Sequence, residues 1–151
     1  MTDIFVMKIE QIQPSQLYVN SKKLSEVLAG YDELKPEMLE PLPVKKLEND
    51  IVLTDDHSIA LAAVMRGISE IRVYWDDVES DWEAYQTCVN WCKEEGIHSI
   101  SDLKDRVVSP EQFEILWVKR CNKLAEELEK KRSALSFSIV SFEDKEQLEQ
   151  K

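Results

Sequence analysis

The spacing of apolar residues in the first half of the chain predicts a small mixed unit of strands and helices. A β-prone run over residues 4–9 predicts the first strand. Apolar residues then recur at helical spacing and predict a helix over residues 21–29. Ser21 is the expected N-cap of this helix, and Gly30 is its expected C-terminal stop.

A hairpin is predicted after the first helix. Residues 31–41 contain two prolines and predict a loop with one helical turn at residues 36–39. Two β-type runs follow, over residues 43–47 and 51–53. They flank the turn-forming sequence Glu-Asn-Asp at residues 48–50, which indicates that the two runs pair as a hairpin.

A buried helix and a last strand complete the first half. Residues 58–66 are apolar almost all round, which predicts a helix covered on most sides and ended by Gly67. Alternation over residues 70–75 predicts a strand with Ile71, Val73 and Trp75 on one face. The predicted order of the first half is therefore β-α-β-β-α-β.

The second half of the sequence predicts helices. Residues 82–95 carry an apolar stripe, and residues 101–107 form a short helix candidate with Ser101 as its cap. Ser109, followed by Pro and Glu, opens a long helix that we expect to end near residue 132. The apolar seam expected on this long helix comprises Phe113, Leu116, Trp117, Cys121, Leu124 and Leu128.

These elements indicate an α+β fold. We expect a small mixed-sheet domain over residues 1–77 and a helical C-terminal extension over residues 78–151. Because the long helix needs a partner for its apolar seam, the extension should pack on the first domain as one compact unit. The tail alternates apolar and polar residues over positions 135–142, which predicts a short strand.

Charge and composition narrow the classes of function. The formal charge is −11, with 14 acids and 8 bases in residues 1–78 and 16 acids and 11 bases in residues 79–151. Nucleic-acid binding relies on clustered Lys and Arg, so we expect no general nucleic-acid binder. No window approaches the roughly 18 apolar residues of a membrane span, and the N-terminus lacks a signal-peptide pattern. We expect a cytoplasmic protein with no membrane partner. Its three cysteines should be reduced thiols, with Cys88 and Cys92 as core residues on one helix face.

Asp55, Asp56, His57 and Ser58 stand directly before the apolar helix and allow four interpretations. One aspartate or Ser58 can cap the helix, where negative charge also suits the helix dipole. His57 and Ser58 can instead hold a ligand at the helix start. The aspartates and His57 are possible metal ligands, but three consecutive residues rarely converge on one ion, and we assign no metal. In the fourth interpretation His57 is a general base or nucleophile that Asp55 orients.

Several segments of the first half carry a resemblance to a known superfamily. They are IQPSQL, PLPV, IVLTDDHSIALAAVMRG and IRVYW, in that order. Over about residues 4–77 the chain resembles the ParB N-terminal-like and sulfiredoxin-like superfamily. Members of that superfamily hold nucleotide phosphates at the start of the helix after the hairpin, with the pattern Asp-Gly-His-Thr/Ser-Arg-Ala. Asp55, His57, Ser58 and Ala60 match this pattern.

Two positions depart from the pattern. Asp56 stands where the superfamily has Gly, and Ile59 stands where it has Arg. The first change places a carboxylate where a phosphate would sit, and two like charges about 4 Å apart near a surface repel by about 4 kcal/mol. The second change removes a bidentate phosphate donor. The resemblance therefore implies a degenerate phosphate site formed by Asp56, Ser58 and Ile59.

The resemblance and its two departures leave two functions open. The first is a non-catalytic or degenerate ParB/sulfiredoxin-like binding module that mediates interaction with a protein partner or a second copy of the chain. The alternative is a nucleotide- or nucleic-acid-processing enzyme, such as a nucleotide hydrolase, phosphotransferase or nuclease. In that enzyme His57 and Asp55 would be catalytic, with basic residues such as Lys45, Lys46 or Arg66 brought in. A nucleotide stays an open ligand, and the sequence assigns no cofactor.

Overall fold

The computed structural model describes residues 3–31 and 39–150, with side chains described over residues 3–30 and 39–135. The strands are β1 (Ile4–Lys8), β2 (Ile12–Gln13), β3 (Val19–Asn20), β4 (Leu42–Leu47), β5 (Asp50–Leu53), β6 (Glu70–Trp75) and β7 (Val107–Val108). The α-helices are α1 (Ser21–Tyr31), α2 (His57–Met65), α3 (Trp82–Glu94), α4 (Pro110–Phe113) and α5 (Lys119–Gln150). The remaining helical segments are 3-10 turns at Ile9–Gln11 and Ile100–Arg106 and a π-helical turn at Glu114–Val118.

Five strands form the main sheet, in the order β1-β6-β4-β5-β2. The pairs β1–β6 and β4–β5 are antiparallel, whereas β4–β6 and β2–β5 are parallel, so the sheet is mixed. β3 and β7 pair in parallel as a separate two-stranded sheet, which joins the first half to the second. The predicted α+β fold with a helical C-terminal half is confirmed, as is the hairpin of β4 and β5. The division near residue 77 stays a prediction.

Both faces of the sheet are covered near the end of β5. Val52 and Leu53 are adjacent in the strand and are both fully buried. Because successive strand residues point to opposite faces, elements must pack on each side at this position. α2 packs with α1 and the second 3-10 turn, and its residues are buried over most of its length, as predicted. α3 is tied to the hairpin by an ion pair between Lys93 and Asp50 at 2.6 Å.

The helical extension packs its own apolar face inward. Trp117, Leu124 and Leu128 of the predicted seam are buried, and Trp117 meets Trp91 of α3 edge-on with ring centroids 6.3 Å apart. Ser109 caps α4 by accepting a hydrogen bond from the Gln112 N–H, as the sequence predicts. Within the described residues, no helix is long and apolar enough to cross a membrane.

Helix starts differ from the sequence prediction by one or two residues. The side chain of Asn20 accepts from the Lys22 N–H at 2.9 Å, so Asn20 caps α1 and Ser21 is its first helical residue. α1 also continues through Gly30. Ser99 forms a capping box with Asp102 at the second 3-10 turn, where Ser101 was expected as the cap. In each case another small polar side chain nearby reaches the free N–H groups.

The tail is the largest departure from the predicted elements. The backbone of α5 is helical to Gln150, so the strand predicted over residues 135–142 is wrong. Local alternation there is outweighed by the continuous helix that precedes it, because extending a helix costs far less than nucleating a new element. β2, β3 and β7 have two residues each and were not predicted, since runs this short carry no periodicity. The turn predicted at residues 36–39 falls almost wholly outside the described residues.

The cap of α1 gives a direct stability prediction. Asn20→Ala should lower the free energy of unfolding by about 1 kcal/mol, because the Lys22 and Lys23 N–H groups lose their side-chain acceptor. Ser21→Ala, the matched control, should change it by less than about 0.5 kcal/mol. Urea unfolding followed by circular dichroism measures both. Equal effects of the two substitutions would contradict the assignment of Asn20 as the cap.

Candidate functional site

Ser15 joins the start of α2 to the end of β5. Its backbone N–H donates to Nε2 of His57 at 3.0 Å, and its hydroxyl donates to the Leu53 carbonyl at 2.7 Å. Ser15 is held in place by β2, which pairs with β5 through Ile12 and Gln13. The segment IQPSQL therefore forms one wall of the site. Both hydrogen bonds are buried, so each is costly to break.

His57 is held in one neutral state. It is 4% exposed, and because Nε2 accepts the Ser15 N–H, the ring proton of a neutral imidazole must sit on Nδ1. Nδ1 is buried with no hydrogen-bond partner among the described residues. Burial, with a smaller contribution from the charge of Lys23, lowers the pKa of His57 to about 3. The imidazole is thus a buried acceptor that stays neutral at physiological pH.

Asp55 does not orient His57. Its side chain is exposed, and Oδ1 accepts the backbone N–H of Asp56 at 2.8 Å. The hydrogen bond between Asp55 and Nδ1 that a catalytic pair would use is not formed, although the catalytic roles themselves stay predictions. Arg66, a candidate cation for the enzyme alternative, lies at the C-terminal end of α2, opposite His57.

Asp56 occupies a backbone conformation that glycine adopts most easily. Its φ is 64° and its ψ is 37°, in the left-handed region. Its carbonyl accepts from the N–H groups of Ile59 and Ala60, but its carboxylate makes no capping bond to the helix. Asp56 therefore does not supply the expected side-chain cap. Burial and then the charge of Asp55 raise the pKa of the Asp56 carboxyl.

The remaining predicted residues lie inside the fold. Ser58 is 4% exposed in the first turn of α2. Ile59 is half-buried and packs against the hydrophobic core. Of the predicted ligand residues Asp56, Ser58 and Ile59, Asp56 is the one that carries a charge at the helix start. No group of three metal-ligating side chains occurs within residues 3–30 and 39–135.

A cavity of about 410 Å³ opens beside this loop. We call it the junction cavity, because the β5–α2 loop forms one side of it and α3 and α5 form the other. Ser15, Asp55 and His57 line the first side, and Tyr85, Trp117 and Leu124 are among the residues of the second. Tyr85 also donates a hydrogen bond from its hydroxyl to the Thr54 carbonyl at 3.0 Å, which ties α3 to the loop.

The sequence did not identify several residues of this site. Ser15 is not among the predicted site residues, yet it makes the two bonds that hold the loop. Its place within IQPSQL, one of the segments that carry the resemblance, was the available signal. Trp117 is part of the predicted seam of the long helix, and Tyr85 lies within the helix predicted over residues 82–95. Nothing in their spacing indicates that both face the same cavity.

Comparisons with known proteins find similarity among solved structures only. No protein-family model and no curated protein matches the chain. Among solved structures, the chain is similar to the crystal structure of protein Atu1540 from Agrobacterium tumefaciens, with 14% identity and a TM-score of 0.45. The match covers 65% of this chain and 50% of that one, so the chain spans half the length of that protein. A TM-score this low carries no argument about fold or function.

The neutral state of His57 makes stability depend on pH. The unfolded imidazole takes up a proton near its ordinary pKa of 6.5, whereas the folded one resists protonation down to about 3. Between these values the unfolded chain binds more protons, so acidification favours unfolding. On going from about pH 7.5 to about pH 5, the wild type should lose about 2 kcal/mol more stability than His57→Gln.

His57→Gln is the matched control because its amide oxygen can accept the Ser15 N–H and does not titrate. Urea unfolding at both pH values gives the difference, and NMR of the imidazole nitrogens gives the tautomer directly. Equal pH dependence of the two proteins, or a His57 that titrates near pH 6.5, would contradict the buried neutral state.

Proposed function

We propose that the chain is a non-catalytic, degenerate ParB/sulfiredoxin-like binding module that acts through protein interaction. The observation that carries the proposal is the bond from the Ser15 N–H to Nε2 of His57. It occupies the imidazole nitrogen that would otherwise accept a proton. A general base must have a free lone pair within reach of the substrate, and this one is already used inside the fold.

The second support is the charge at the start of α2. A helix N-terminus attracts anions through its free N–H groups and its dipole. Here the carboxylates of Asp55 and Asp56 stand at the helix start and oppose a phosphate, whereas the charge of Lys23 acts on Asp56 in the opposite direction. Ile59 packs on the core where the superfamily pattern has a phosphate-binding Arg. The loop therefore has the backbone arrangement of an anion site but lacks the cationic side chain of the superfamily pattern.

The third support is an apolar sheet edge. β1 is an edge strand of the main sheet and has no partner on its outer side among the described residues. Ile4 and Val6 lie on one face of β1 and are 55% and 58% exposed. Edge strands of this kind accept an added strand from another chain, which supports an interaction with a protein partner or a second copy. The charge of −11 disfavours nucleic acid as the partner.

Restoring the superfamily pattern tests this proposal. The double variant Asp56→Gly and Ile59→Arg should bind inorganic pyrophosphate or ATP at least on the order of tenfold more tightly than the wild type. The change removes a repelling carboxylate and adds a bidentate donor. Gly also suits the left-handed backbone at position 56, so the fold should be retained. Isothermal titration calorimetry measures the affinity, and circular dichroism checks the fold.

The control carries Asp56→Gly with Ile59→Gln, which disturbs the core equally but adds no charge. It should gain less affinity than the Arg variant. If a folded Arg variant gains nothing over this control, the degenerate phosphate-site assignment fails. Saturable nucleotide binding or hydrolysis by the wild type, lost in His57→Gln, would overturn the binding module in favour of the nucleotide-processing enzyme.

A further inference from the structure

We propose that Cys88 and Cys121 form a dithiol that a hydroperoxide oxidises to an intramolecular disulfide across the wall of the junction cavity. Cys88 lies on α3 and Cys121 on α5, and both line this cavity. α3 packs on α5, and the side chains of Cys88 and Cys121 are close enough for a hydrogen bond between them to shift the pKa of both. Cys88 and Cys121 are far apart in the sequence, and the packing of α3 on α5 brings them close together.

The third cysteine is placed differently. Cys92 is one turn further along α3 and is fully buried. It does not line the junction cavity. Cys121, by contrast, is only half-buried and lies at the cavity wall. A small oxidant that enters the cavity therefore meets Cys121 and Cys88 and not Cys92.

The two thiols of the pair have different chemical roles. The hydrogen bond from Cys88 lowers the pKa of Cys121, and the charge of Arg120 acts in the same direction. The same hydrogen bond raises the pKa of Cys88, and burial raises it further. Because the thiolate is the nucleophile, Cys121 is the attacking residue and Cys88 is the resolving thiol. The π-helical turn at Glu114–Val118 lies just before Cys121, and such turns are frequent at functional sites.

The oxidation proceeds in two balanced steps. The Cys121 thiolate attacks one peroxide oxygen, the O–O bond breaks, and Cys121 becomes a sulfenic acid. The leaving oxygen takes up the proton that Cys121 released and departs as an alcohol, or as water when the oxidant is hydrogen peroxide. The Cys88 sulfur then attacks the Cys121 sulfur, the S–O bond breaks, and water leaves with the Cys88 proton. Two thiols are oxidised and one peroxide is reduced.

Peptide mapping tests the proposal on the full chain. The reduced protein is treated with an equimolar amount of hydrogen peroxide, alkylated after unfolding, digested and analysed by mass spectrometry. We expect a linked peptide pair that contains Cys88 and Cys121, with Cys92 alkylated and the chain monomeric on a non-reducing gel. Three alkylated thiols, a link that involves Cys92, or linkage between chains would overturn the proposal.

Variants separate the roles of the two sulfurs. In Cys88→Ser, the sulfenic acid of Cys121 has no resolving thiol and should be trapped by dimedone. In Cys121→Ser, no trapped product should form at Cys88. Cys92→Ser is the matched control from the same helix and should form the disulfide as the wild type does. Dimedone labelling at Cys88 instead of Cys121 would contradict the assigned roles.

A comparison of rates tests the native contact itself. In Cys92→Ser, the disulfide should form at least on the order of tenfold faster in the folded protein than in urea, where the two thiols meet only through a flexible chain. Equal rates in the folded and unfolded protein would show that the fold does not bring these thiols together, and would overturn the proposal.

Discussion

The rest of the structure depends on the pair of buried hydrogen bonds made by Ser15. One bond reaches the carbonyl at the end of β5 and the other reaches His57 at the start of α2. Together they fix the ends of a loop of three residues, and they attach that loop to β2 at the edge of the sheet. Removing either acceptor would leave a buried donor unsatisfied, which costs about 1–3 kcal/mol. His57 therefore acts as a hydrogen-bond acceptor within the fold, and this bond fixes its side chain at the start of α2.

The helical half completes this arrangement. The sheet buries adjacent residues near the end of β5, which requires cover on both faces, and α3 is attached beside this part of the sheet. Three polar contacts attach α3 and the segment that follows it to the sheet: the Lys93–Asp50 ion pair, the bond from Tyr85 to Thr54, and the bond from Gln13 to the Ile97 carbonyl at 2.9 Å. The junction cavity lies beside these contacts, between the β5–α2 loop, α3 and α5. Its lining thus combines residues from both halves of the chain, and neither half contains the site alone.

Much of the fold was predictable from the sequence, because periodicity reports burial over elements longer than about five residues. α1, α2, α3, the β4–β5 hairpin and β6 were all expected near their observed positions. Two-residue strands were not, since their pairing is decided by distant partners such as Ile51 and Val52 for β2. The position of the site in the sequence was predictable, but the hydrogen bonds and protonation of its residues were not. No local pattern indicates that His57 bonds Ser15, or that Cys88 meets Cys121, because both contacts join residues far apart in the chain.

The conformation of Asp56 follows from the constraints on either side of it. Thr54 is fixed by its backbone N–H, which donates to the Pro43 carbonyl at 3.2 Å, and by its hydroxyl, which donates to Asp76 at 2.8 Å. His57 is fixed by Ser15, so residues 55 and 56 must reverse the chain between two anchored ends. A left-handed residue makes such a reversal, and a non-glycine residue there costs about 1 kcal/mol or more. The carboxylate recovers no capping bond in return. Asp56 therefore adopts a backbone conformation that its neighbours impose. Its side chain adds negative charge at the helix start but does not determine the shape of the loop.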